Sequence, residues 1–276
     1  MCDVLREVNE YYNKKLANIC KKQGFEIVQA DIDLATEEEF KQIRMDWFGA
    51  SDSSKLLDVN PFPKGTCEDL IYEKITNEVD ESISKKASVR MGKDLEDLII
   101  KKCSEIFHTQ MEDIKVIFKP TVMFGNPENH LSCNFDAVII LSDILALPLE
   151  IKAVTKYGRK YYDFNKSVAY QKDGEWQPIR DELTGKPEGT TIEDRAHSLG
   201  IPVYYYTQLQ QQQLVVNSPM GFLGVIDVDN WEVHIFPVLP DVEVWSLLDT
   251  KARISWARIE TTRKIRQNKK DLGIKA

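Results

Sequence analysis

Apolar positions in the first 23 residues recur at helical spacing. Val4, Leu5, Val8, Tyr11, Tyr12, Leu16 and Ile19 share one side, which predicts an amphipathic helix ending near Gly24. Thr36 followed by Glu39 has the form of a capping box and starts a second helix through Ile43, Arg44 and Trp47 to a break at Gly49. Ser51 opens a short helix, Thr66 with Asp69 gives another box-like start, and Ser88 is placed to cap the long helical run that holds Glu96. The period then changes. Residues 114–119, 135–141 and 146–153 form short apolar runs of the kind that make buried strands, with Ser142 and Asp143 as the turn between the last two. A helical run over 203–216 follows, then strands at 222–227 and 233–238, then a helix from about Asp241 onward. The mixture predicts an α/β fold.

Three polar residues interrupt two of these apolar strands: Asp136, Glu150 fourteen positions later, and Lys152. Side chains alternate across a strand, so Glu150 and Lys152 share a face, and an adjacent antiparallel strand can bring Asp136 beside them. Carboxylates gathered that closely repel unless a cation neutralises them, and oxygen ligands select magnesium or manganese over zinc. The pattern fits a metal-dependent phosphodiester hydrolase. It also fits an exposed cross-strand ion pair, which is common in soluble proteins. Two further features bear on the choice. Glu96 lies four positions after Gly92 on the long helix, and the run VYYYTQLQQQQLVV puts Tyr205, Gln208 and Gln212 on one helical face.

Composition changes this picture in three ways. The hydrophobic fraction of 42% over 276 residues suffices for one large core. The net charge of −8 argues against broad electrostatic gripping of a nucleic acid, although Arg159, Lys160 and Lys166, and the run Arg263, Lys264, Arg266, Lys269 and Lys270, could be local basic patches or solvated faces. The five cysteines show no paired C-x-x-C spacing and predict reduced, buried thiols without an iron–sulfur cluster. The four histidines have no metal-ligand spacing. No run has membrane-spanning length and the N-terminus lacks an apolar signal core, so a cytoplasmic protein is expected, in the host cytoplasm if viral.

Taken in order, these motifs resemble those of the PD-(D/E)XK nucleases, and more narrowly the lambda-exonuclease-type, YqaJ-like viral recombinase family. The resemblance rests on Gly49-Ala50-Ser51-Asp52, Asn60-Pro61-Phe62, Gly92 with Glu96, Asp136, Glu150 with Lys152, and Tyr205-x-x-Gln208-x-Gln210. It spans about residues 41–240, with Phe135 where the family has proline and with residues 155–200 as an insertion. It implies a restriction-endonuclease-like core, a mixed central sheet flanked by helices. Asp136, Glu150, the Ile151 carbonyl and a more distant Glu96 would hold two magnesium ions, which manganese can replace. Lys152, Tyr205 and Gln208 would act at the scissile phosphate, and Arg44 and Ser51 would bind a terminal 5′ phosphate.

The implied function is 5′→3′ digestion of one strand at ends of double-stranded DNA, leaving 3′ single strands for phage-type recombination. A homo-oligomeric ring, a trimer, and a single-strand annealing protein are the implied partners. The expected organisation is a single nuclease domain over 1–276, with an N-terminal helical arm (1–35), a core (41–240) and a C-terminal helix (241–276). An endonuclease of restriction or repair type on the same fold, and an inactive DNA-binding or assembly module, are the alternatives. Aromatic and basic residues in the insertion, including Tyr161, Tyr162, Phe164, Tyr170 and Trp176, could stack on unpaired bases or cover a surface hairpin.

Overall fold

A computed structural model describes residues 2–29, 32, 36–77, 87–110, 114–172, 175–177 and 185–272. In chain order its helices are α1 (Cys2–Lys21), α2 (Glu37–Arg44), α3 (Ser53–Leu56), α4 (Cys67–Thr76), α5 (Ala87–Gln110), α6 (Lys156–Arg159), α7 (Ile192–Ser198), α8 (Val203–Val216) and α9 (Val242–Asp271). The strands are β1 (Glu26–Gln29), β2 (Phe48–Gly49), β3 (Val116–Phe118), β4 (Met123–Gly125), β5 (Leu131–Cys133), β6 (Ala137–Ile140), β7 (Ala146–Val154), β8 (Ala169–Lys172), β9 (Glu175–Gln177), β10 (Gly221–Asp227) and β11 (Glu232–Val238). Ser88 lies within α5, not ahead of it as a cap.

Seven strands make the main sheet in the order β3-β6-β7-β10-β11-β8-β9. It is mixed, because β7 and β10 run parallel while β6 and β7 run antiparallel with Ala137 opposite Leu149. Having partners on both edges and helices on both faces explains why β7 is apolar almost throughout. One face carries Leu147, Leu149 and Ile151 against Ile99 and Cys103 of α5. The other packs Leu223, Val225 and Phe236 against Tyr206 and Leu209 of α8. By alternation Glu150 and Lys152 belong to the α8 face.

A second sheet, β1-β4-β5-β2, was not anticipated. Its strands are two to four residues long, too short for a period of two to be read from sequence. The insertion does not stand apart. Its β8 pairs with β11 and β9 forms the sheet edge, while Tyr162 and Phe164 stack at 5.6 Å and Phe164 reaches His234 and Phe236. Those two rings therefore cover the fold, whereas Tyr161 is half exposed. The side chains of Tyr170 and Trp176 and the turn at 173–174 lie outside the described residues.

Some residues of the basic clusters are in structural use. Arg159 pairs with Asp227 at 2.9 Å, and Lys166 donates to the carbonyls of His197 and Ser198. Both end helices join the core. Leu16, Ile19 and Cys20 of α1 are buried in it, as are Val244, Leu248, Ala252, Trp256 and Ile259 of α9. Asp241 caps α9 and also accepts from Arg195 and from the Tyr206 hydroxyl at 2.6 Å. Further along α9, Arg263 donates to Asp46 at 2.9 Å, to the Met45 carbonyl at 3.1 Å and to the Lys74 carbonyl at 2.7 Å. Among the described residues no helix is long and apolar enough to cross a membrane.

Candidate active site

Asp136 precedes β6 by one residue, which the antiparallel register sets opposite Glu150 on β7. Asp136 Oδ2 accepts the Ile151 backbone N–H at 3.0 Å and lies 3.4 Å from Lys152 Nζ. Lys152 also donates to Glu150 Oε1 and, at 2.8 Å, to the Ile151 carbonyl. Three oxygens thus converge on one ammonium group. Desolvation opposes charge on Lys152, but the two carboxylates outweigh it and hold its pKa above the ordinary lysine value.

Glu150 is 0% exposed, and burial followed by the nearby Asp136 charge raises its pKa to about 7 despite Lys152 and Gln212. Its remaining lone pairs are met from α8: Gln208 Nε2 donates to Oε1 at 2.6 Å and Gln212 Nε2 to Oε2 at 2.5 Å. The Tyr205 ring lies 5.2 Å from Lys152 Nζ. Residues 205, 208 and 212 meet the strands together because they occupy one helical face.

The glutamine run shows why 210 and 212 differ. All four residues from Gln210 to Gln213 are fully buried, with Gln210 and Gln213 reaching adjacent carbonyls and Gln211 and Gln212 two other parts of the fold. Gln210 binds the Leu239 carbonyl, the Asp241 N–H and the Trp245 indole. Gln211 reaches the carbonyls of Phe48 and Ser132, and Gln213 that of Val238. Gln210 of the sequence motif is therefore a packing contact on the far side, and Gln212 is the second glutamine at the site. Helical phase already groups it with Tyr205 and Gln208 in the sequence.

Glu96 is not drawn into the cluster. Its carboxylate pairs with Lys119 through Oε1 at 2.9 Å. Among the described residues no group of three or more His, Cys, Asp or Glu side chains gathers as a metal site. Two carboxylates and a main-chain carbonyl nevertheless give an all-oxygen set, and the Lys152 ammonium marks the point where a positive charge is stabilised. That chemistry fits a hard divalent cation.

Arg44 ends α2, and its Nη2 donates to Ser51 Oγ at 2.9 Å while lying 3.6 Å from Asp52 Oδ1. Asp52 accepts the Gly49 N–H at 3.1 Å and lies 3.4 Å from the buried Lys74 ammonium. Burial opposes its charge, but Lys74 and Arg44 prevail and lower its pKa. A cavity of about 170 Å³ joins the two halves: Arg44, Gly49 and Ser51 line one part, Asp136 and Gln208 the other.

The YqaJ-like viral recombinase domain matches residues 39–178, just over half of the chain. The chain belongs to this family. It is accordingly a nuclease of the lambda-exonuclease type, a DNA-cleaving hydrolase. The YqaJ-like match includes Arg44, Ser51, Glu96, Asp136, Glu150 and Lys152 and ends before α8, so the glutamine face lies outside it. No curated protein matches the sequence.

Two solved structures are similar to this YqaJ-like chain. One is LHK-Exo in complex with dAMP, at 14% identity and a TM-score of 0.56 over 86% of this chain and 98% of that one. The other is the alkaline exonuclease LHK-Exo from Laribacter hongkongensis, at 13% identity and a TM-score of 0.56 over 85% and 98%. At these identities the likeness is one of fold.

Proposed function

We propose that this chain is a magnesium-dependent 5′→3′ exonuclease that digests one strand of linear double-stranded DNA. The observation that carries this reading is the cavity shared by Asp136 and Gln208 with Arg44 and Ser51. It supports the reading because Asp136, a carboxylate suited to a cation, and Arg44, a guanidinium suited to a phosphate, line one small space. Asp136, Glu150 and the Ile151 carbonyl would hold magnesium, with manganese as a substitute. The bound cation supplies Lewis acidity at the scissile phosphate and lowers the pKa of a coordinated water.

Lys152 has the remaining proton chemistry. Its ammonium, held by Asp136, Glu150 and the Ile151 carbonyl, would orient the attacking water and offset developing negative charge on the phosphate. Gln208 and Gln212 hold Glu150 in its rotamer throughout, and the Tyr205 ring walls the ammonium on one side. At the other end, the planar fork of Arg44 and the Ser51 hydroxyl suit a terminal 5′ phosphate. Each cut then produces a new phosphorylated end for the same pocket, which gives direction as well as affinity.

A chain of net charge −8 gains little from open-surface attraction, so processive digestion is assigned to a homo-oligomeric ring, a trimer, enclosing the duplex. The product, a 3′ single strand, suits an annealing protein in phage-type recombination in the cytoplasm. End-labelled linear duplex and covalently closed duplex, incubated with magnesium, test the reading. Linear DNA should be digested from its 5′ ends and closed circles spared. Ready cutting of the circles replaces it with an endonuclease.

A further inference from the structure

A series of rings leads outward from Lys152. Tyr205, beside the ammonium, meets Tyr204 edge-on at 4.3 Å, and Tyr204 lies 5.2 Å from Phe62, which is 51% exposed. An exposed phenylalanine alone needs no explanation. The loop carrying this one, however, is held firmly. Asn60 Oδ1 accepts the Phe62 N–H at 2.9 Å, and Asn60 Nδ2 donates to the buried Ser54 hydroxyl at 3.1 Å. The neighbouring Ser53 hydroxyl donates to Thr207 of α8 at 3.1 Å. A Cβ at Gly65 would lie 2.5 Å from the Phe62 carbonyl oxygen, so the turn closes only with glycine there. Phe62 is therefore fixed relative to Gln208, one residue from Thr207.

We propose that Phe62, backed by Tyr204, is a stacking subsite for an unpaired nucleobase of the strand being cut. The proposal rests on the nuclease reading. Removing one strand of a duplex parts each of its nucleotides from the complement. The base so released needs an apolar surface to replace its lost stacking. An aromatic ring supplies this for all four bases, as an enzyme that digests any sequence requires.

The test uses a linear duplex with 2-aminopurine at the 5′ end, bound to the full protein without divalent cation so that it stays uncut. Its fluorescence should be quenched by wild type and by Phe62→Trp. Phe62→Ala should lose the quench and bind the end about fivefold to a hundredfold more weakly. Aminopurine in the duplex interior should not respond. Equal quenching by wild type and Phe62→Ala overturns the stacking subsite. So does a changed oligomeric mass of Phe62→Ala in light scattering, which assigns the ring to an interface between copies. Wild-type digestion with magnesium is followed in parallel: digestion with an unchanged quench sinks only the subsite, and neither digestion nor quench sinks the nuclease reading with it.

Discussion

Glu150 sits inside a strand paired on both edges and is fully buried, whereas Ser51 occupies a single 3-10 turn open to solvent and Arg44 ends an eight-residue helix. The first position has no freedom to be anything but correctly placed. The second is held through one charged chain, from the buried Lys74 to Asp52 to Arg44, with Lys74 also donating to the Arg44 carbonyl at 2.7 Å. Rigid placement by a sheet suits bond cleavage, where a small displacement is costly. A side chain on a helix end suits capture of an end that must be released and taken again.

Substitutions at the two ends should separate these roles. Asp136→Ala or Glu150→Ala should reduce magnesium-dependent cleavage to background while duplex binding persists, and Lys152→Ala should do the same with manganese binding, read by calorimetry, largely kept. Full activity in either carboxylate variant removes the site. Arg44→Ala should cost less, on the order of 1.5–3 kcal/mol or about a tenfold to hundredfold loss of preference for 5′-phosphorylated over 5′-hydroxyl ends, with shorter processive runs and cleavage retained. Equal use of both ends by the wild type defeats the pocket.

The smallest effect is on pH dependence in the absence of metal. Glu150 binds its proton more tightly folded, with a pKa of about 7, than unfolded, where an ordinary glutamate value applies. Its contribution to stability is therefore complete below the unfolded value and is lost as pH rises through 7. Thermal midpoints of the metal-free protein should fall across that range. Saturating magnesium, bound by the carboxylate as proposed, should flatten or reverse the trend, and identical pH profiles with and without magnesium would separate Glu150 from the cation.

How much of this was legible in the sequence follows from the length of the elements. β6, β7, β10 and β11 declare themselves by apolar runs, and α2 and α4 by capping boxes that the structure forms at Thr36 and Thr66. The β2–β5 pairing, by contrast, involves two residues of each strand and is invisible without tertiary context. Within the site, the alternation that sets Glu150 and Lys152 on one face is local and could be read. The Glu96–Lys119 pair joins α5 to the residue after β3 and could not be read. The glutamine run lies between these cases: phase groups Tyr205, Gln208 and Gln212 on one face in the sequence, but that this face meets Glu150 depends on tertiary context.

The three donations from Arg263 have a consequence in the order of synthesis. Its guanidinium holds the carbonyl of Met45, the residue immediately after Arg44, across 218 positions of chain. A ribosome therefore completes the β6–β7 hairpin long before it supplies the strut that braces the end-binding helix. During that interval the nascent chain lacks the Arg263 contacts to Met45, Asp46 and Lys74, so the proposed grip on DNA ends is fully braced only once α9 is made.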